Sequence, residues 1–145
     1  MRTHLSIAAL TLAAAVACSD PSPSRPPPPP PPASLAATVS VKDASGGAGP
    51  FALSTLESLS VEARVAGAEP GTHAAHIDVL TPRGTLYAQL SGTVDVGADG
   101  TGRLARTLEV RGTPIETFQQ VGAWRLVLTV DEGAPLASAE VGLAE

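Results

Sequence analysis

Two histidines and an aspartate stand close together in "GTHAAHIDV": His73, His76 and Asp78. Imidazole nitrogens and a carboxylate are donors that Zn²⁺ and Cu²⁺ accept. On an extended strand His76 and Asp78 share the outward face, and His73 falls in the turn before it. Nothing else in the chain completes a ligand set around them. Exposed histidines beside a loop and a polar strand face are the preferred reading, so no metal and no cofactor is assigned. A second group, Asp95, Asp99 and Gly100 in "DVGADGTG", offers carboxylates to Ca²⁺. A calcium loop alternates oxygen ligands and closes on a bidentate Glu. Here the intervening ligands are missing, and Glu109 or Val110 would have to close the loop from inside a strand. A hairpin turn explains the segment better.

Catalytic patterns are absent. There is no Gly-x-Ser-x-Gly elbow for a nucleophile and no Gly-x-x-x-x-Gly-Lys cradle for phosphate. Asp131 and Glu132 are adjacent acids in a turn, where solvation accounts for them. The expectation is a protein that is not an enzyme.

The net charge is −5. From Ala33 onward there are seven basic and thirteen acidic residues, which gives −6. Arg103, Arg106 and Arg111 are interrupted by Glu109, so no basic stripe forms. A nucleic-acid partner is excluded, because phosphate binding needs clustered cations. Only four residues are aromatic: Phe51, Tyr87, Phe118 and Trp124. The core must therefore come mostly from Val, Leu and Ala.

Any such groups must be positioned by strands. "AATVSVKD" puts Ala37, Val39 and Val41 on one face, and "LSVEARV" does the same with Leu59, Val61, Ala63 and Val65. "AHIDVLTP" (Ala75, Ile77, Val79 inward), "TLYAQLSG" (Leu86, Ala88, Leu90 inward) and "TVDVG" continue the pattern. "GRLARTLEV", "AWRLVLTVD" and "LASAEVGL" follow, the last with Ala137, Ala139, Val141 and Leu143 together. Period-two alternation marks half-buried strands. Turn signals separate them: "GGAGP", "GAEPG", "TPRG", "GADGTG" and "DEGAP". Only "TPIETFQQVG" departs, where Pro114 and Glu116 predict one short helical turn. Seven or eight short strands without an amphipathic helix predict an all-β, antiparallel β-sandwich. A βαβ fold needs crossover helices and is excluded; pattern alone leaves a small barrel open. In "LARTLEV" the alternation points Arg106 inward with Leu104 and Leu108. Either the strand is an edge guarded by a charge, or Arg106 snorkels at the sandwich margin.

The amino-terminal 34 residues read differently. "MRTHLSIAALTLAAAVAC" holds an uncharged run too short to span a bilayer, which needs about 20 residues. It has the length of a secretory signal. Ala15, Val16 and Ala17 then lead to Cys18, the only cysteine. This segment resembles the bacterial lipoprotein signal, although Ala15 stands where that family usually has Leu. The resemblance implies lipidation of Cys18, which becomes the first mature residue. Ser19 after it implies the outer rather than the inner membrane. An ordinary signal cut after Ala15 or Ala17 would instead leave Cys18 a free thiol. "SDPSPSRPPPPPPPAS" cannot form helix or sheet, because proline lacks the N–H and fixes φ. It predicts a disordered or polyproline II tether, with residues 26–32 extending ~22 Å. A stiff spacer is preferred over a ligand for an SH3-like module. The expected organisation is a signal peptide over 1–17, a lipidated tether over 18–34 and a β-sandwich over 35–145.

The ending "VGAWRLVLTVDEGAPLASAEVGLAE" resembles the last two strands of bacterial immunoglobulin-like domains, macroglobulin-type modules and the Ig-like domain of the flagellar hook-capping protein. Gly122, Ala123 and Trp124 match the opening of their penultimate strand. Trp124 then plugs the core. With one cysteine, an inter-sheet disulfide is impossible. The combined expectation is a lipid-anchored envelope protein with a non-catalytic Ig-like interaction or structural module and an unidentified envelope protein partner. An unpaired sheet edge is one route to that partner. Two alternatives remain: a metal or ligand carrier using His73, His76 and Asp78, and an accessory or inhibitor subunit acting through "DASGGAGPFALSTLE", residues 43–57.

Overall fold

The computed structural model describes residues 34–145. The expected signal, Cys18 and the proline run lie outside the described residues. The order of elements is β1 (Ala36–Lys42), β2 (Phe51–Ala52), β3 (Ser58–Ala66), β4 (Gly71–Leu80), β5 (Leu86–Val96), β6 (Thr101–Glu109), α1 (Pro114–Thr117), β7 (Gly122–Val130) and β8 (Ala137–Ala144). They form a three-stranded sheet, β1-β3-β6, and a five-stranded sheet, β2-β8-β7-β4-β5. In the usual lettering the first is A-B-E. The second is G-F-C-C′ with the short β2 beside G. This is the immunoglobulin-like sandwich.

Alternation explains the two layers. Leu59, Val61, Ala63 and Val65 of β3 face Ala75, Ile77 and Val79 of β4 and Leu126 and Leu128 of β7 across one core. Trp124 is its largest fully buried side chain. Its ring meets Tyr87 edge-on, with centroids 5.3 Å apart. Its indole N–H donates to the Gln120 carbonyl at 2.9 Å, so the one polar atom of the plug is satisfied. Among the described residues the core runs from Ala37 to Leu143, within one compact unit. Among the described residues no helix is long and apolar enough to cross a membrane.

The structure departs from the strand reading in four places. "TLYAQLSG" and "TVDVG" are one continuous strand, β5. Its pairing with β4 shifts between Val79 and Leu80. The extra residue there is Tyr87, which turns in toward Trp124 and sends Leu86 out to solvent. A bulge reverses the phase of alternation, and nothing in a period-two pattern shows where one will sit. The "ADG" turn is closed as expected, with Gly100 N–H on the Gly97 carbonyl at 3.0 Å. However, it joins β5 to β6, which lie in different sheets, and so is not a hairpin. The sandwich is also not wholly antiparallel, since β2 pairs in parallel with β8. β2 lies inside the segment 43–57, and Phe51, Leu53 and Leu56 pin that segment into the core.

The inward arginine satisfies both readings. β6 and β5 are the edges of their sheets on the same side of the sandwich. Arg106 lies between them, half-buried, and Nε donates to the Ser91 carbonyl of β5 at 2.8 Å. Nη1 donates to the Ala105 carbonyl at 2.8 Å. Gly92 makes the room, because a Cβ there would stand 1.7 Å from Nη2. The guanidinium thus occupies an edge carbonyl and places a charge where an incoming strand would pair.

Candidate functional site

The residues picked out for metal chemistry are not brought together. His73 lies within β4 rather than in a turn. Its parity puts it on the Ala75–Ile77–Val79 face, while His76 and Asp78 point the other way. Asp78 Oδ1 accepts from Gln89 Nε2 of β5 at 2.8 Å. Among the described residues no group of three or more His, Cys, Asp or Glu is placed to hold a metal ion. Asp95 Oδ1 accepts from the Thr72 hydroxyl at 2.7 Å, and Asp99 caps its own turn by accepting from Thr101 N–H and hydroxyl. The Thr101 hydroxyl is the main cause holding Asp99 below the usual carboxylate range.

His73 has a different role. Nδ1 meets Asp131 Oδ2, and Nε2 meets the Glu69 carbonyl at 2.8 Å. Both partners are acceptors, so only the imidazolium, with two N–H donors, satisfies both. Asp131 and Glu132 sit in the left-handed region, with φ of 50° and 55°. The Gly133 N–H on the Val130 carbonyl makes this a tight I′-like turn. Asp131 is a type such a turn accepts, whereas Glu132 at the second position is not. The His73 contact and the Ala74 N–H on Asp131 Oδ1 hold the turn. Hydrogen bonding to Asp131 first, and to Glu69 second, raises the His73 pKa above its ordinary value; His73 in turn lowers that of Asp131.

These opposite shifts define a pH window. A raised histidine pKa stabilises the fold fully below the unfolded value of ~6.5, and that contribution fades as pH rises through the folded value. A lowered aspartate pKa stabilises above the unfolded value of ~3.9, and that contribution fades as pH falls through the folded value. The pair is therefore complete between these limits. An NMR titration of His73 should show its midpoint above ~6.5, returning toward that value in Asp131→Asn. A midpoint unmoved by the substitution would refute the pairing.

The feature that stands out lies at one end of the sandwich. Strand pairing places Ala36, Ala66 and Thr101 together at the end where the described chain begins. At the other end are the β4–β5 turn (residues 81–85) and the β6–β7 connection (residues 110–121). Phe118, Leu86 and Val121 converge there, exposed to 72 %, 59 % and 39 %. A scattered apolar residue on a surface means little, but these three form one exposed apolar cluster at the end of the domain.

Local sequence builds this patch. Pro114 opens α1 with Thr113 as its cap; the Thr113 hydroxyl accepts from Ile115 N–H at 3.3 Å and donates to the Val110 carbonyl at 2.6 Å. Ile115 is the single buried residue of α1 and anchors the turn. The chain then reverses through Gln119, whose φ is 45°. This carries Phe118 and Val121 outward while Gln120 turns back to Trp124. Gly122 has φ of 123°, and a Cβ there would come within 3.1 Å of Pro82. Glycine at this point lets the two loops touch. Between them lies an open hollow of about 610 Å³, and Arg83 is the one charged residue among the described residues that line it. A second hollow, about 330 Å³, shares Gln119 and Val121 with it and carries Glu116 and Glu145.

No protein-family model matches the sequence, and a search of curated proteins finds no match. Solved structures show distant similarity. The CARDB domain of a Pyrococcus furiosus protein, solved in complex with di-metal ions, is 17% identical with a TM-score of 0.46, over 77% of this chain and 88% of that one. A Bifidobacterium dentium beta-glucuronidase, complexed with coumarin-3-O-glucuronide, is 12% identical with a TM-score of 0.40, over 74% of this chain and 18% of that one.

Sequence reasoning missed the patch. The available signal was Phe118, one of four aromatics, which stands in a segment without strand alternation. The assignment of Leu86 to the core hid the second member.

Proposed function

We propose that this chain is a non-catalytic, lipid-anchored protein of the cell envelope whose Ig-like sandwich binds a protein partner through the end bearing Leu86, Phe118 and Val121. Lipid on Cys18 holds it to a bilayer, with the outer membrane favoured by Ser19, and the proline-rich stretch acts as a spacer. The observation that carries the binding reading is the joint exposure of those three side chains at the end remote from Ala36. The guarded β5/β6 side is a poorer candidate, since Arg106 already fills it.

The anchor is tested by Cys18→Ser. The variant should move from the membrane to the soluble fraction, because its hydrophobic attachment is lost. Persistence with membranes after a salt wash would exclude the lipid as the holdfast. The binding reading is tested by a photo-crosslinking residue at position 119 in intact cells. A discrete adduct that disappears in Phe118→Ser supports it; no adduct at any position of the patch defeats it.

A further inference from the structure

We infer that the patch at this end binds a second copy of the same chain, through a two-fold contact in which Arg83 of each copy meets the acidic hollow of the other. The inference rests on the binding reading above and names the occupant. Its ground is the arrangement of charge around the apolar side chains. The hollow beside Phe118 and Leu86 has Arg83 as its charged group, and among the described residues no hydrogen bond or ion pair engages that guanidinium. The neighbouring hollow, across the Gln119–Val121 ridge, presents Glu116 and Glu145. Opposite charges thus flank one apolar ridge.

A two-fold axis through such a ridge brings each surface onto itself reversed, which is what an isologous contact requires. Arg83 then faces the partner's carboxylates twice, and Phe118 of each copy leaves water against the other. A partner with one sign of charge would match one flank and be repelled by the other, whereas the chain itself matches both. Three apolar side chains per copy cover less than the ~800 Å² per partner of a standard interface. The dimer is accordingly weak, with a midpoint on the order of 100 µM. Attachment of both copies to one surface would raise their effective concentration.

Sedimentation equilibrium of residues 34–145 tests this directly. The wild-type sandwich should double in mass with rising concentration, and Phe118→Ser should remain monomeric. Arg83→Glu and Glu116→Lys should each weaken association about tenfold or more at low salt. Mixed in equal amounts they should associate again, because the mixed dimer regains both charge contacts. Should Glu116→Lys unfold, since Glu116 also accepts the Gly112 N–H, the Phe118→Ser comparison still decides. A wild-type sandwich monomeric to ~1 mM, or one whose association is unchanged by Phe118→Ser, overturns the inference. A monomeric sandwich whose position-119 probe captures a different envelope protein overturns self-association alone. Absence of both association and capture defeats the binding reading too.

Discussion

Trp124→Ala should remove about 3–5 kcal/mol of stability, a large part of what a domain of this size possesses. Three losses coincide. The indole is the largest fully buried side chain, and its removal leaves a cavity between two sheets whose backbones are fixed by their ladders. Tyr87 loses the ring on which it packs edge-on. The Gln120 carbonyl loses its donor at 2.9 Å. The neighbouring core is largely Val, Leu and Ala, whose short side chains cannot reach across the gap. Urea unfolding followed by far-ultraviolet circular dichroism is the measurement, as the variant has no tryptophan. A loss below ~1 kcal/mol would mean that the space collapses, contrary to close packing.

Ile115→Ala should cost about 2–5 kcal/mol and should also disturb the patch. Ile115 is fully buried and ties the β6–β7 connection to the core. Its carbonyl accepts from Gln120 N–H at 2.9 Å, and Gln120 in turn accepts from Trp124. The same turn places Phe118, whose N–H donates to the Pro114 carbonyl at 3.1 Å. Stability and surface are thus linked through one side chain. Trp124 fluorescence in urea reads the first effect. Amide hydrogen exchange at residues 118–121 reads the second, and should quicken more than exchange in β3 and β4. Equal acceleration throughout would show that α1 has no local part in holding the patch.

These two variants also separate what each half of the β6–β7 connection does. The capped helical turn is a structural device: Thr113, Pro114 and Ile115 use ordinary helix chemistry to bury one isoleucine. The residues after it have no such use. Gln119 holds a conformation that costs a non-glycine residue on the order of 1 kcal/mol. The strain is sustained because Gln120 must return to Trp124 while Phe118 and Val121 leave the core. A connection needed only to join two strands could have ended after the helical turn with polar residues.

The sequence by itself determined the class of fold and most of what lies inside it. Alternation in "LSVEARV" and "LASAEVGL" assigns inward faces correctly, because side-chain direction on a strand is a local property with period two. Proline at 114 and glycine at 122 likewise act on their own backbone. Tertiary structure decided which strands pair, that β2 joins β8, that the Tyr87 bulge turns Leu86 outward, and that His73 meets Asp131 rather than His76 and Asp78. Each depends on residues far apart in the chain: 58 positions separate His73 from Asp131. Their contact energies exist only once the two sheets have closed on one another. The apolar end is of the same kind, since Leu86 and Phe118 become neighbours only where two loops from different parts of the chain meet over Gly122.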